Sequence, residues 1–129
     1  MSENFGKAYK LCSRKTIDLL FNEGKQLRAF PLKVYYSESE SLEKVPFQVV
    51  LSAPKRQFKR AHDRNYVKRL MKEVLRREKQ PLEDVLNESG KQLTLFIIYT
   101  NKEVLTYQEL EKSVRKLLVK LIAELKGEA

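Results

Sequence analysis

The sequence predicts an α+β fold, a two-layer sandwich in which helices pack a small mixed sheet, on three observations. Strand-length apolar or alternating runs at residues 27–37, 45–53 and 93–100 are separated by stripes of helical period. No internal repeat and no long linker divides the chain, so a sheet of three or four strands has only these helices to cover it. At 129 residues, 42% apolar and 33% charged, the chain has the size of one domain, expected to span 1–129. Such a domain buries about two thirds of its unfolded surface and needs no disulfide or structural metal.

The elements follow in chain order. Ser13 is a good N-cap and Gly24 a good terminator for a first helix whose Ile17, Leu20 and Phe21 share a face. In the 27–37 run, Leu32, Val34 and Tyr36 face one way and Lys33 and Tyr35 the other. The polar, acidic stretch at 37–44 reads as a hairpin loop before the 45–53 strand. Val67, Leu70, Met71, Val74 and Leu75 form the apolar stripe of a longer helix, and Pro81 and Gly90 bracket a short one. The 93–100 run is apolar on both faces, which places it centrally in the sheet. Thr106 and Glu109 form a capping box ahead of a last helix carrying Leu110, Val114, Leu117, Leu118, Leu121 and Leu125. If the 45–53 and 93–100 strands pair in parallel, the general rule expects a right-handed crossover between them.

Charge narrows the function. The chain carries +9 overall, and residues 55–79 hold eleven basic against three acidic side chains, a net of +8 in 25 positions. Arg64, Asn65, Lys68, Arg69, Lys72 and Arg76 fall on a separate flank from the apolar stripe, so one face of this helix is buried and another is basic. Like charges recur at i, i+4, where a solvated helix surface would usually alternate signs. An anionic partner is therefore expected, nucleic acid before membrane, since no apolar run approaches the roughly 18 residues of a spanning helix. The start MSENFGKAYK lacks the apolar core of a secretory signal, and the lone Cys12 fits a reducing compartment, so a cytoplasmic protein is expected.

Catalytic chemistry is not advertised. His62, the one histidine, has no evident relay partners, and Cys12 has no second thiol for a zinc or redox pair. Glu83 and Asp84 are the only adjacent carboxylates, and neighbours on a helix diverge, so no clustered metal site for hydrolysis is expected. No catalytic residue is expected on this chain.

The run KRQFKRAHDRNYVKRLMKEVLR resembles the basic Arg-Asn-x-x-Lys-Arg helix of the bacterial ribonuclease P protein component, matched by Arg64, Asn65, Lys68 and Arg69 and preceded by Lys55, Arg56, Lys59 and Arg60. SRKTIDLLFNEGKQLRAFPLKVYY is similar to that family's first helix and strand, and LTYQELEKSVRKLL to its closing helix. The resemblance implies a left-handed crossover, against the general rule. It implies a protein subunit that joins a catalytic RNA and helps remove the 5′ leader of precursor tRNA by endonucleolytic hydrolysis. The RNA and its Mg²⁺ would perform the chemistry, with no cofactor on the protein and no protein partner required. Lys55, Arg56, Lys59, Arg60, Arg64, Asn65, Lys68, Arg69 and Lys72 would bind RNA. Ile17, Phe21, Tyr35 and Tyr107 would line a cleft for the single-stranded leader. Ile17 stands where some relatives have an aromatic, Tyr66 where the family often has Arg, Lys59 where many have Gly, and Tyr99, Thr100 and Asn101 where a basic residue is common.

Physical chemistry supports such roles: Lys and Arg neutralise phosphates with release of counterions, and aromatics in a basic groove stack on bases with little sequence preference. Two other classes use similar residues. A structural ribosomal-type RNA-binding protein would use the same helix without a leader cleft. A DNA-binding module would read bases with the exposed helix face, which here is Arg and Lys with few base-reading side chains.

Overall fold

The computed structural model describes residues 14–38, 45–55 and 57–127. Cys12, the expected cap Ser13, the 39–44 part of the acidic connection and the expected RNA contact Arg56 lie outside the described residues. Helix α1 (Arg14–Glu23) ends at Gly24, whose N–H donates to the Leu20 carbonyl at 3.0 Å. A Cβ on Gly24 would lie 2.5 Å from that same oxygen, so the close approach requires glycine.

The 27–37 run, expected as one strand, is a hairpin. β1 (Lys25–Ala29) and β2 (Leu32–Glu38) pair antiparallel around the two-residue turn Phe30–Pro31, whose peptide is cis. Pro31 has no N–H for a ladder, which breaks the run at that point. The turn's carbonyls are taken by neighbours: the Thr100 N–H and Oγ1 both donate to Pro31 O at 2.7 Å, and Ser113 Oγ donates to Phe30 O at 3.0 Å.

β3 (Phe47–Ser52), α2 (Ala61–Glu78), α3 (Gln80–Ser89), β4 (Leu93–Tyr99) and α4 (Tyr107–Leu125) complete the chain. The sheet order is β1-β2-β4-β3, with β2 and β4 antiparallel and β3 and β4 parallel, so the sheet is mixed and β4 is internal as its apolarity predicts. One sheet face presents Leu32, Val34, Phe47, Val49, Leu95 and Ile97 to a core shared with Val67, Met71 and Val74 of α2, Leu82 and Leu86 of α3, and Leu110, Leu117 and Leu121 of α4. α1 packs on the opposite face against β2 and β4.

Polar groups fix the joints. Tyr99 donates its hydroxyl to Glu103 O at 2.6 Å and accepts from the Leu105 N–H at 3.1 Å, which ties down the passage into α4. Burial pushes the Tyr99 phenol above its ordinary pKa. α4 begins with the expected capping box, and the Thr106 backbone and side-chain donors hold the Glu109 carboxyl below the usual range. Gly90 ends α3 in the left-handed region at φ 70°.

The α2–α3 junction holds what the sequence reading missed. Lys79, one of the eleven basic residues of the 55–79 segment, is buried, and its ammonium donates to Glu83 Oε1 at 2.7 Å with the two side chains 1% and 8% exposed. Glu83 is thus paired one turn back along the chain and shares no site with Asp84, which accepts from Gln80. Removing one member of a buried pair strands the other's charge. Lys79→Met should therefore destabilise the fold by about 3–5 kcal/mol in urea unfolding, and Lys79→Met with Glu83→Leu should recover most of that loss; equal loss in both variants would contradict the pairing.

Candidate nucleic-acid interface

Two surfaces gather the residues singled out in the sequence, and they lie on opposite sides of the sheet. The first is the outer face of α2 with the loop that leads into it. Val67, Met71, Val74 and Leu75 are buried and turn Asn65, Lys68, Arg69 and Lys72 outward. These four and the loop residues Lys55, Lys59 and Arg60 are exposed. Among the described residues, Lys68, Arg69 and Lys72 form no ion pair. Farther along, the charge is partly offset: Glu73 accepts from Arg76 at 2.6 Å and from Arg77 at 3.4 Å. The Arg76 hydrogen bond is the main reason the Glu73 carboxyl sits below its ordinary range. The open positive surface is therefore the loop and the first three turns of α2. His62 is exposed at the helix start, 3.7 Å from Asp63, in no relay.

Arg64 behaves differently from its neighbours. Its Nη1 reaches back to donate to Phe58 O at 2.9 Å and Lys59 O at 3.0 Å. Phe58 is buried against Tyr99, with ring centroids 5.7 Å apart, so the guanidinium ties the basic loop to the core and to α2 together. The Pro54 carbonyl accepts from the N–H groups of Gln57 and Phe58. Arg64 thus orients Lys59 and Arg60 and leaves its other nitrogens available to an anion.

The second surface is the sheet face under α1. Phe21, 46% exposed, packs its ring 4.9 Å from Tyr35 and 4.8 Å from Phe96. Tyr35 and Phe96 are cross-strand partners, and Phe96 in turn pairs with Val50 on β3. Lys33 Nζ stands 4.9 Å from the Tyr35 ring centroid, a cation–π distance. Ile17 is half-buried on α1, one turn before Phe21. Phe96 was not among the residues expected here, although its position in β4, out of phase with core residues Leu95 and Ile97, carries the information. Tyr107 does not join this group. It packs beside the core on the helical side, with its phenol oxygen buried and without a hydrogen-bond partner among the described residues.

A family model described as Ribonuclease P matches residues 5–122. The chain belongs to the ribonuclease P protein family. Among curated relatives of this family, a ribonuclease P protein component from Porphyromonas gingivalis is 30% identical over 123 residues, covering 95% of this chain and 90% of that protein. One from Chlorobaculum tepidum is 29% identical over 119 residues, covering 85% and 77%. Of solved structures, the ribonuclease P protein of Staphylococcus aureus superposes with a TM-score of 0.71 at 17% identity, over 89% of this chain and 96% of that one. That of Thermotoga maritima does so with a TM-score of 0.61 at 21% identity, over 89% and 96%. The ribonuclease P protein fold is therefore present from α1 to α4. Membership makes this chain a component of a tRNA-processing ribonucleoprotein, with RNA as its partner.

Losing the two Arg64 bonds should loosen the loop locally. Arg64→Ala is expected to speed amide hydrogen exchange at Gln57–Arg60 by about tenfold, the loss of a charge-assisted bond, while Arg69→Ala leaves it unchanged; equal effects would remove Arg64 from this role.

Proposed function

We propose that this chain is the protein subunit that binds the catalytic RNA of bacterial ribonuclease P through the loop and first turns of α2, and the single-stranded 5′ leader of precursor tRNA through the groove beneath α1. The observation that carries this reading is the Phe21, Tyr35 and Phe96 cluster, left partly open on the sheet face away from the basic helix. A protein that only braced structured RNA would have no use for that groove. Base–aromatic stacking contributes about 1–3 kcal/mol per base and tolerates any sequence, which suits a leader that differs among substrates.

In this reading the protein binds and orients while the RNA performs the endonucleolytic hydrolysis. Lys59, Arg60, Lys68, Arg69 and Lys72 supply the cationic surface, Arg64 sets the loop and reaches an anion with its outer nitrogens, and Asn65 donates to phosphate or ribose. Among the described residues no group of three or more His, Cys, Asp or Glu side chains converges to hold a metal ion. In this reading Mg²⁺ belongs to the RNA, and the protein lowers the concentration required by neutralising phosphates and holding the substrate. Among the described residues no helix is long and apolar enough to cross a membrane, and the proposed site of action is the cytoplasm. No further protein partner enters this scheme.

Reconstitution tests the proposal. A bacterial ribonuclease P RNA at low Mg²⁺ should cleave a labelled precursor tRNA accurately at the 5′ site when this protein is added, and the protein alone should not. Tight binding without rescue would favour a purely structural RNA-binding role. Within the same system, Arg69→Ala with Lys72→Ala should flatten the salt dependence of RNA affinity by about one per lost phosphate contact, and Arg76→Ala with Arg77→Ala, whose guanidiniums share the Glu73 carboxylate, should change it less.

A further inference from the structure

On the groove side of the sheet, Arg28 of β1 and Lys33 of β2 are direct cross-strand partners. The Arg28 carbonyl accepts from Lys120 Nζ at 2.5 Å, so its backbone polar groups point out of the sheet edge and away from β2. Arg28 and Lys33 therefore form a non-hydrogen-bonded pair, the kind in which side chains approach closest, at about 4.5–5.5 Å between Cβ atoms. The period of two along β2 places Lys33 on the same face as Tyr35, and the cation–π contact between them agrees. Like charges directly opposite each other destabilise a hairpin. Neither residue forms an ion pair among the described residues, and the Lys120 ammonium adds a third positive charge at the Arg28 backbone. Protection of the exposed sheet edge would account for a cation on β1 but not for its partner on the inner strand β2.

We propose that Arg28 and Lys33 are a phosphate-binding pair at the end of the aromatic groove, receiving a backbone phosphate of the single-stranded RNA whose base stacks at Tyr35. The proposal rests on the leader reading given above and adds residues that reading does not contain. A phosphate between the two side chains converts their repulsion into attraction: Arg28 offers a planar fork, and Lys33 a point charge already held over the stacking ring. The groove then grips the leader by ring face and by backbone, neither of which depends on sequence.

The experiment is equilibrium binding of precursor tRNA with a leader, and of mature tRNA, to holoenzyme reconstituted from this chain and a bacterial ribonuclease P RNA, with Ca²⁺ replacing Mg²⁺ so that cleavage does not intervene. Arg28→Gln with Lys33→Gln should weaken binding of the precursor by about five- to tenfold and leave mature tRNA unchanged. The log–log salt slope should fall by about 0.7, the release expected for one single-strand phosphate. Arg28→Lys with Lys33→Arg, which keeps both charges, should retain most of the affinity. With an abasic leader the effect of Tyr35→Ala should vanish while that of the double Gln variant persists. Thermal unfolding of the Gln variant should not fall below that of the parent, since a repulsion has been removed.

If Tyr35→Ala and Phe21→Ala weaken precursor binding but the Gln variant does not, the phosphate pair is overturned and the groove reading stands. If none of these variants has a leader-dependent effect, both are overturned. Equal weakening of precursor and mature tRNA by the Gln variant would also overturn the pair.

Discussion

The structure depends on an imbalance between the two faces of its sheet. Three helices converge on one face and seal it, while the other, among the described residues, carries α1, whose ten residues run about 15 Å and pack chiefly on β2 and β4. Among the described residues, no second helix flanks it on that face. Apolar and aromatic side chains at Phe21, Tyr35, Phe96 and Val50 consequently stay partly accessible on a rigid support. The sealed face provides the stability, and the half-covered face keeps aromatic rings accessible on the surface proposed to take the leader.

The same division of labour governs charge. The 55–79 segment carries its excess of positive charge unevenly once folded. Lys79 is internal and paired with Glu83, Arg76 and Arg77 share Glu73, and Glu78 accepts from Arg115 across to α4. What remains uncompensated is concentrated where the loop enters α2, and there Arg64 spends one nitrogen on loop carbonyls. A charge run in sequence has thus become a shaped surface with a neutral border. For exposed groups of this kind the effect on stability is small, because water and salt screen them, and the effect on an incoming polyanion is large.

Much of this was legible in the sequence because it follows from periodicity. The alternation of Leu32, Val34 and Tyr36 against Lys33 and Tyr35, the helical stripe from Val67 to Leu75, and the Thr106–Glu109 box each encode a local geometry that tertiary contacts then reinforce. Features that arise only from three-dimensional juxtaposition were hidden. The Phe30–Pro31 turn looked like the interior of a strand because its neighbours on both sides alternate. Phe96 was masked by a run apolar on both faces, where parity alone cannot say which face is open. Tyr107 resembled a groove residue by family likeness, yet its helix belongs to the sealed side. Lys79 entered only the charge count of the 55–79 segment, and nothing in a linear count separates a solvated lysine from one with a buried carboxylate a turn away.

The two sides of the sheet are proposed to meet different RNAs. Site-directed crosslinking tests this most directly, with a photoreactive probe placed singly at Lys72 on α2 or at Gln48 on the α1-bearing face of β3, in holoenzyme bound to precursor tRNA. The account predicts that the position 72 probe labels the catalytic RNA and that the position 48 probe labels the tRNA leader. Leader labelling from position 72, or catalytic RNA alone from both positions, would contradict it.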